Sequence, residues 1–264
     1  MVMNPFENVI ANPRSLRARD LLRDHWLAMG NPQGKLIEAE LAWRGYGVYT
    51  REERDLFGER SARLAAKHGR EWAGKIAEWD PTVGEYNYRM GMVYTCSLSG
   101  TEFVAHGAEL FRLAPILRLG LRSPLCIEAV CAMPQLAQLL SLSIYSDEEF
   151  NNHAAATLSN CRYLSGLIEG GAGGANLTGP GLQALVNSPY LRNVVAFEIA
   201  TSVRFADYPK GDPLSIVAVP QHGASLQNNA LVEPYWEAAN YDQLTNYTQT
   251  FSWPPSLDEL YWTE

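Results

Sequence analysis

The pattern in this chain that comes nearest to a ligand-binding motif is the glycine-rich run at residues 169–176. It follows an apolar run and precedes a helix-like stretch, the setting in which a glycine-rich loop can hold phosphate on helix N-terminal amides. The third glycine of a dinucleotide fingerprint would fall at Asn176, however, and no Gly-Lys-Ser/Thr sequence follows. We therefore interpret residues 170–176 as a loop between structural units. A small-molecule-binding catalytic accessory that uses this loop is the less favoured alternative.

Side chains that commonly bind metals or attack substrates are present, but their spacing fits neither use. Zinc-binding helices carry two histidines four residues apart, and zinc or redox loops carry a C-x-x-C pair; neither pattern occurs. The acidic run at residues 147–149 follows Ser146, where a capping box and the helix dipole account for it. We expect no catalytic residue, no cofactor and no metal site, and we expect the cysteines to be buried free thiols. The residues considered are His25, His68, His106, His153, His222, Cys96, Cys126, Cys131 and Cys161.

Composition restricts the classes of protein to which the chain could belong. Of the 264 residues, 47% are hydrophobic and 19% are charged, which is typical of a folded protein rather than a disordered one. The net charge of -8 argues against nucleic-acid binding, because that binding depends on Lys and Arg near phosphates. No apolar run reaches the roughly 18 residues of a membrane span, and residues 1–10 lack the features of a secretory signal. We expect a cytoplasmic protein.

Residues 1–89 are rich in mixed charge and carry three helix start signals. Asn12 and Asn31, each followed by a proline, predict the N-caps of the first two helices. Thr50 and Glu53 have the spacing of a capping box, which predicts a third helix. Because the predicted connections are short, we expect a helical bundle as the first domain.

Short alternating apolar runs recur through residues 90–219, and each is followed by a helix-like stretch. Leu98, Leu121 and Ile144 hold equivalent positions in successive runs and lie 23 residues apart, a spacing typical of leucine-rich repeats. A strand with this pattern cannot bury its apolar face alone, so stacked units would complete the core. The expected fold class is therefore α/β, a helical bundle followed by a short leucine-rich-repeat solenoid. The expected strands are 94–98, 117–121, 140–144, 167–169, 195–199 and 216–219.

The helices between these strands have start signals of their own. Ser99 and Ser146 each precede a glutamate by three residues, which is the spacing of a capping box. Pro124 and Pro180 suit the first turn of a helix. Each unit is therefore expected to begin and end locally.

Residues 220–264 combine acidity with large aromatic side chains. Residues 210–264 hold seven acidic residues and one basic residue, which accounts for most of the net charge of the chain. Aromatic residues are too frequent here for a solvated coil, so we expect the segment to fold against another surface. Two interpretations stay open. The segment is either a cap on the last repeat or a partner-binding arm that carries Trp253 and Trp262.

Four stretches of the sequence resemble known bacterial proteins. Residues 24–37 resemble a motif of the bacterial repeat-companion domain of myxobacterial and planctomycete proteins, residues 64–72 its closing helix, and residues 92–122 its junction with repeats. Residues 181–191 are similar to a helix of the ribonuclease-inhibitor-like leucine-rich repeats that follow this domain. The resemblance implies a binding scaffold in multi-gene bacterial systems, and it brings no catalytic residues. Asn31, where the family usually has Asp, and the lack of a regular Asn after each strand imply a short, degenerate solenoid.

These features favour protein–protein interaction on the strand face opposite the core. If Leu119 and Leu121 point into the core, Arg118 and Arg122 point outward, and the same parity exposes positions on later strands. Arg and Tyr are common at interface hot spots. We predict a non-catalytic scaffold or adaptor that binds a protein or peptide and has no nucleic-acid or membrane partner. The predicted outward positions include Ser141, Ser143, Ile168 and Ala196, and the predicted binding residues are Arg118, Arg122, Tyr145, Glu198, Trp253 and Trp262.

A second hypothesis is an inhibitor or immunity protein whose acidic surface blocks a basic toxin or enzyme. Strong dependence of partner binding on salt would favour this hypothesis. A nucleotide-dependent rise in melting temperature would instead favour the catalytic accessory.

Overall fold

The computed structural model of the chain is a mixed α/β protein in two compact units, which divide between Cys126 and Ile127. Helices and a short hairpin precede two parallel strands in the first unit, and helices alternate with strands in the second. Within the part of the chain described, no helix is long and apolar enough to cross a membrane. The structure describes residues 4–44, 49–84, 87–146, 149–175, 177, 179–194, 196–201 and 214–218.

The first unit begins with helices that pack in chain order. The second helix contacts the first and the third, and the third contacts the fourth. Their apolar side chains include Leu22, Leu36 and Ile37, which are fully buried. The helices are α1 (Pro5–Ala11), α2 (Leu16–Ala28), α3 (Pro32–Trp43), α4 (Arg51–Ala73) and α5 (Ile76–Trp79).

The start of α2 differs from the predicted one. The N-cap is Ser15, whose Oγ accepts a hydrogen bond from the amide of Ala18 at 3.2 Å, so the assignment of Asn12 was wrong. Asn12 instead ends α1, a helix that the sequence analysis did not predict. An Asn before a proline can end one helix as readily as it begins another, because Pro13 has no amide with which to continue α1.

The predicted starts of α3 and α4 are confirmed. The side chain of Asn31 accepts a hydrogen bond from the amide of Gln33 at 2.9 Å. Thr50 and Glu53 form a complete capping box, with bonds of 3.2 Å to the Thr50 hydroxyl and 2.8 Å to the Glu53 carboxylate. Both signals act within one helical turn, which is why the local sequence is sufficient to predict them.

A two-residue hairpin turn lies in the buried centre of the first unit. Met90 and Gly91 both have positive φ, 48° and 76°, as a type I′ hairpin turn requires. The buried guanidinium of Arg19 donates to the carbonyl of Met90 at 3.1 Å. The buried carboxylate of Glu40 accepts from the amide of Gly91 at 3.1 Å. Charged groups from α2 and α3 thus hold the turn. The hairpin strands are β1 (Tyr88–Arg89) and β2 (Met92–Val93).

Two parallel strands and a helix complete the first unit. The predicted strands are confirmed, each shifted by one residue, and the residues predicted to face the core, Leu119 and Leu121, are buried with Leu98. The intervening helix begins at the predicted capping box of Ser99 and Glu102. The elements are β3 (Thr95–Ser99), α6 (Gly100–Leu113) and β4 (Arg118–Arg122).

Three polar side chains form hydrogen bonds with backbone amide and carbonyl groups of β3. The buried carboxylate of Asp80 accepts from the amide of Ser97 at 2.7 Å. Asn87 donates to the carbonyl of Thr95 at 3.0 Å, and Arg122 Nη2 donates to the carbonyl of Ser97 at 2.9 Å. An open strand edge would offer these groups to other chains, so the three side chains protect it.

In the second unit, helix, 3₁₀ helix and strand follow one another twice. The first three strands are parallel neighbours, and the last pairs antiparallel with the third. The two 3₁₀ helices contact each other. The elements are α7 (Ile127–Cys131), a 3₁₀ helix (Pro134–Gln138), β5 (Ser141–Tyr145), α8 (Asn152–Ser159), a 3₁₀ helix (Arg162–Gly166), β6 (Glu169–Ala175), α9 (Gly179–Val186), β7 (Ala196–Thr201) and β8 (Leu214–Ala218).

Two predicted helix starts in this region were wrong. Ser146 Oγ accepts from the amide of Glu149 at 2.9 Å, but α8 begins later, capped by Asn151. Likewise α7 begins three residues after Pro124. A Ser side chain that binds a backbone amide three residues on can close an isolated turn as well as a helix, so the motif is ambiguous.

The glycine-rich run is a strand rather than the predicted loop. β6 pairs with β5 on one side and with β7 on the other. Gly170 lies against Phe197, and a Cβ atom there would come within 2.5 Å of the aromatic ring. Glu169, opposite Ser141, holds the outward position that was predicted for Ile168. Glycines show no apolar alternation, so neither the strand nor its parity could be predicted from them.

The C-terminal predictions fall largely beyond the region that the structure covers. The expected last strand at 216–219 overlaps β8. The expected cap at 220–264, with Trp253 and Trp262, lies outside the described residues.

Candidate functional site

The outward side chains of β3 and β4, here called the first outward face, combine hydroxyls with two guanidinium groups. Arg118 lies opposite Thr95, and Arg122 lies opposite Ser99. Both arginines are half-buried, while the alternate positions of the two strands face the core. The structure therefore places Arg118 and Arg122 on the predicted face.

Arg122 also stabilises the fold. One nitrogen, Nη2, binds the carbonyl of Ser97, as described above. Its Nε is buried and has no hydrogen-bond partner among the residues that the structure describes. The sequence could not reveal this contact, because Ser97 lies 25 residues away along the chain. Arg122 therefore combines a structural contact with an unsatisfied donor.

The outward side of β5 and β6 is here called the second outward face. Its side chains are small or buried except at one end. Ser141 and Glu169 are buried, and Ser143 is half-buried. Tyr145 is 57% exposed at the end of β5. The register sets Gly173 opposite it, a residue without a side chain. A large aromatic group therefore projects beside a flat stretch of backbone.

The remaining predicted binding residues are placed only in part. Glu198 lies on β7 opposite Gly171, which itself lies opposite Ser143, so register assigns Glu198 to the second outward face. Trp253 and Trp262 are outside the described residues. Sequence reasoning missed Glu169, because the glycines that follow it show no apolar alternation from which the parity of the strand could be predicted.

A carboxylate and a thiol lie on the core side of β3. Asp80 accepts three hydrogen bonds, from the amides of Ser97 and Thr82 and from the Thr82 hydroxyl. Burial raises the pKa of the Cys96 thiol, and the neighbouring Asp80 carboxylate raises it further. Cys96 is therefore a protonated, unreactive core residue.

Only some cysteines match their predicted environment. Cys96 and Cys161 are buried free thiols, as expected, and Cys131 is half-buried. Cys126 is exposed, so the prediction was wrong there. It has a positive φ of 46° in the segment before α7, outside any helix or strand that would bury it.

Three of the described histidines contact neighbouring side chains, and His222 lies outside the described residues. His68 stacks on Trp72, His106 stacks on Trp79, and His153 Nε2 lies 2.7 Å from Glu128 Oε1. Among the described residues, no three His, Cys, Asp or Glu side chains are grouped so that they could hold a metal ion.

A cavity of about 230 Å³ in the first unit has an aromatic lining. Trp72 and Tyr88 line it and meet edge to face, with ring centroids 6.1 Å apart. The Tyr88 hydroxyl donates to the carbonyl of Gly69 at 2.6 Å, and burial raises its pKa. Because these groups are already packed and bonded within the unit, we assign them to the core rather than to a ligand.

The outward faces therefore present guanidinium donors, hydroxyls and an exposed phenol ring, groups that are suited to binding another polypeptide. The family relationship suggested by residues 24–37 stays a prediction. No protein-family model, no curated protein and no solved structure matches the chain.

Proposed function

We propose that this protein is a non-catalytic scaffold of the leucine-rich-repeat type, which binds a protein or peptide on its outward strand faces. The proposal carries forward the family resemblance of residues 24–37 and 181–191. It rests on two kinds of support, the recurrence of one local geometry along the chain and the side chains exposed on the strands.

The recurrent geometry is a backbone hydrogen-bond pattern that connects the start of one strand with the start of another. In both units, the carbonyl just before a strand accepts hydrogen bonds from two successive amides at the start of the following strand. The bonds run to Tyr94 from Leu117 and Arg118, at 3.0 and 3.1 Å, and to Leu140 from Ile168 and Glu169, both at 2.9 Å. The acceptors of the two sets are 46 residues apart and the donors are 51 residues apart, and the recurrence of this hydrogen-bond pattern favours a repeated unit.

The observation that carries the binding proposal is the exposure of Tyr145. The apolar ring of an exposed aromatic side chain is removed from water only when a partner covers it. Tyrosine is also common in the centres of interfaces. Gly171 and Gly173 on the adjacent strand leave room for a partner backbone to approach. Tyr145 is therefore the proposed aromatic anchor.

The charged residues supply direction and specificity. Arg118 can bind carboxylates or backbone carbonyls of a partner through its planar guanidinium. Glu198 holds the register position on β7 opposite Gly171 and is a further predicted binding residue. We propose that Arg118 orients what the first outward face binds, and that Tyr145 contributes most of the affinity of the second outward face.

Site-specific photo-crosslinking tests this proposal even when the partner is unidentified. A benzoylphenylalanine side chain replaces Tyr145 in one variant and Val104 in a control, because Val104 is 37% exposed and belongs to a helix, α6, rather than to a strand. Irradiation in the organism that encodes the protein should give one discrete polypeptide adduct at position 145. Equal adducts at both positions, or an adduct at position 104 alone, would contradict the proposal.

A further inference from the structure

Two cysteines of the second unit lie against each other. Cys131 is the last residue of α7, and Cys161 immediately precedes the 3₁₀ helix Arg162–Gly166. Cys161 Sγ lies 3.4 Å from the carbonyl oxygen of Cys131, to which its thiol donates. The two thiols are also close enough to shift the pKa of each other. Neither cysteine is in a disulfide in this structure.

The surroundings make the two thiols unequal. The Cys131 thiol and the amides of Tyr163 and Leu164 lower the pKa of Cys161, although burial opposes this. When Cys161 ionises it gives up its hydrogen bond to the Cys131 carbonyl. For Cys131, the neighbouring Cys161 and burial raise the pKa, and the nearby Glu128 carboxylate adds to the effect. The Cys161 sulfur is therefore suited to attack as a thiolate, while Cys131 stays protonated as a thiol.

Access also distinguishes this pair from the other cysteines. Cys161 is buried and Cys131 is half-buried, so hydrogen peroxide would have to reach the pair from the Cys131 side. Cys96 is fully buried beside Asp80, which disfavours its thiolate. Cys126 is exposed, and its contact within hydrogen-bond distance is with the Thr101 hydroxyl rather than with another sulfur.

We propose that Cys131 and Cys161 are a redox-active dithiol, which closes to an intramolecular disulfide when the protein meets hydrogen peroxide. A vicinal thiol that can resolve the first oxidation product is what separates reversible from irreversible cysteine oxidation.

The reaction has two steps. The Cys161 thiolate attacks one oxygen of hydrogen peroxide, the O–O bond breaks, and the departing hydroxide takes a proton to become water. Cys161 is then a sulfenic acid. Cys131 attacks its sulfur, the S–S bond forms, the S–O bond breaks, and a second water leaves with the Cys131 proton. The two cysteines together lose two electrons, which reduce one peroxide to two waters.

The disulfide would join successive structural segments of the second unit. It would tie the end of α7 to the turn before β6 and close a loop of about 30 residues, which restricts the unfolded chain. The oxidised protein should therefore melt at a higher temperature than the reduced one. A thiol reductant should reverse the shift.

Peptide mapping of the full-length protein tests the proposal directly. The reduced chain is treated with hydrogen peroxide, blocked with N-ethylmaleimide and digested without reductant. We expect a peptide pair that joins Cys131 to Cys161, 2 Da lighter than the sum of its reduced parts. Dithiothreitol should release it.

Matched variants complete the test. Cys126→Ser should form the disulfide like the wild type, whereas Cys131→Ser should leave Cys161 as sulfenic acid that dimedone labels. Because the wild-type peptide map does not depend on any variant folding, it decides the question alone. Oxidation confined to Cys126, or conversion of Cys161 to sulfinic acid without a cross-link, would overturn the proposal.

Discussion

At the level of single residues, two buried side chains of opposite charge in the first unit fix the position of its hairpin turn through hydrogen bonds to the backbone. Arg19 and Glu40 are both buried, and they bind the backbone of consecutive residues in one turn. Burying charges is costly unless they are paired and hydrogen-bonded, and here the turn supplies part of that bonding. The pair therefore specifies where the hairpin lies, and it makes the unit sensitive to pH.

The pH dependence has a definite sign. Burial raises the pKa of Glu40 to about 7 from an ordinary value of 4.5, while Arg89, the Gly91 amide and Arg19 oppose the rise. The folded protein thus binds the proton more tightly than the unfolded chain does. The stability that this provides is fully present below pH 4.5 and is lost as the pH rises through about 7.

We expect Glu40→Gln to remove this dependence. The free energy of unfolding of the wild type should fall by up to about 3 kcal/mol from pH 4.5 to about pH 8, because the carboxylate must ionise in the core. The Glu40→Gln variant keeps an acceptor for the Gly91 amide and should give a flatter curve. Urea unfolding across this range measures the effect.

The control for this experiment lies on the same helix. Glu38 is on the exposed side of α3, so Glu38→Gln should keep the wild-type dependence on pH. Parallel curves for the wild type and Glu40→Gln would contradict the assigned role of Glu40.

How far single residues could be predicted depends on the range of their contacts. Arg118 and Arg122 were placed on the outward side by parity, because alternation within one strand is a local property. The bond from Arg122 to Ser97 joins residues 25 positions apart, and the bond from Arg19 to Met90 joins residues 71 apart. Neither has a local signature.

At the level of elements, β6 shows how a strand can be built from glycine. Its backbone amides and carbonyls pair on both sides, so its stability comes from the ladder rather than from its own side chains. The missing Cβ of Gly170 makes room for the buried ring of Phe197. The segment therefore belongs to the core of the second unit.

Gly170→Ala should destabilise the protein by about 1–3 kcal/mol, because the added methyl group would overlap the Phe197 ring. Gly166→Ala is the matched control, since its Cβ would meet Ala137 at an ordinary 3.6 Å. Thermal or urea unfolding measures both. A double variant with Phe197→Leu should recover part of the loss. Unchanged stability of Gly170→Ala would show that this close packing is absent.

Substitution of Asp80 tests whether its carboxylate protects the edge of β3 from pairing with other chains. Asp80 accepts from the Ser97 amide with Oδ2 and from Thr82 with Oδ1. Asp80→Asn keeps only one acceptor oxygen for these two sets of donors, so we expect a loss of about 2–3 kcal/mol and more aggregation. Asp20→Asn, which breaks a half-exposed pair with Arg23, should change stability by less than about 1 kcal/mol. Light scattering after mild heating would detect the exposed edge. Equal behaviour of the two variants would contradict the edge-protecting role.

Helices and strands could be predicted where a capping motif within one turn, or apolar alternation within one strand, identified them. The caps at Asn31, Thr50 and Ser99 and the strands β3, β4 and β5 follow from such signals. The capping motif at Ser146 closes a turn without starting a helix. The start of α1 has the same Asn-Pro signal as α3, at Asn4 and Pro5, so α1 could have been predicted from the sequence. β6 has no side-chain pattern from which to predict it.

At the level of the whole molecule, we propose serial construction around a binding surface. Helix, 3₁₀ helix and strand recur in the second unit, and the same pairing of two amides with one carbonyl is found at the starts of β4 and β6. A fold of this kind separates stability from recognition, because inward positions build the core and outward positions can vary. The exposed Tyr145 and the guanidinium of Arg118 are the outward groups on which binding is proposed to depend.

The measurement that tests this proposal most directly is the affinity of the partner captured at position 145. Tyr145→Ala combined with Arg118→Ala should weaken binding by at least about tenfold, the effect of losing hot-spot side chains, in a variant that circular dichroism shows to be folded. Arg54→Ala combined with Leu56→Ala, two exposed positions on α4, should bind like the wild type. Unchanged affinity of the Tyr145 and Arg118 variant, with the protein folded, would contradict binding on the outward faces.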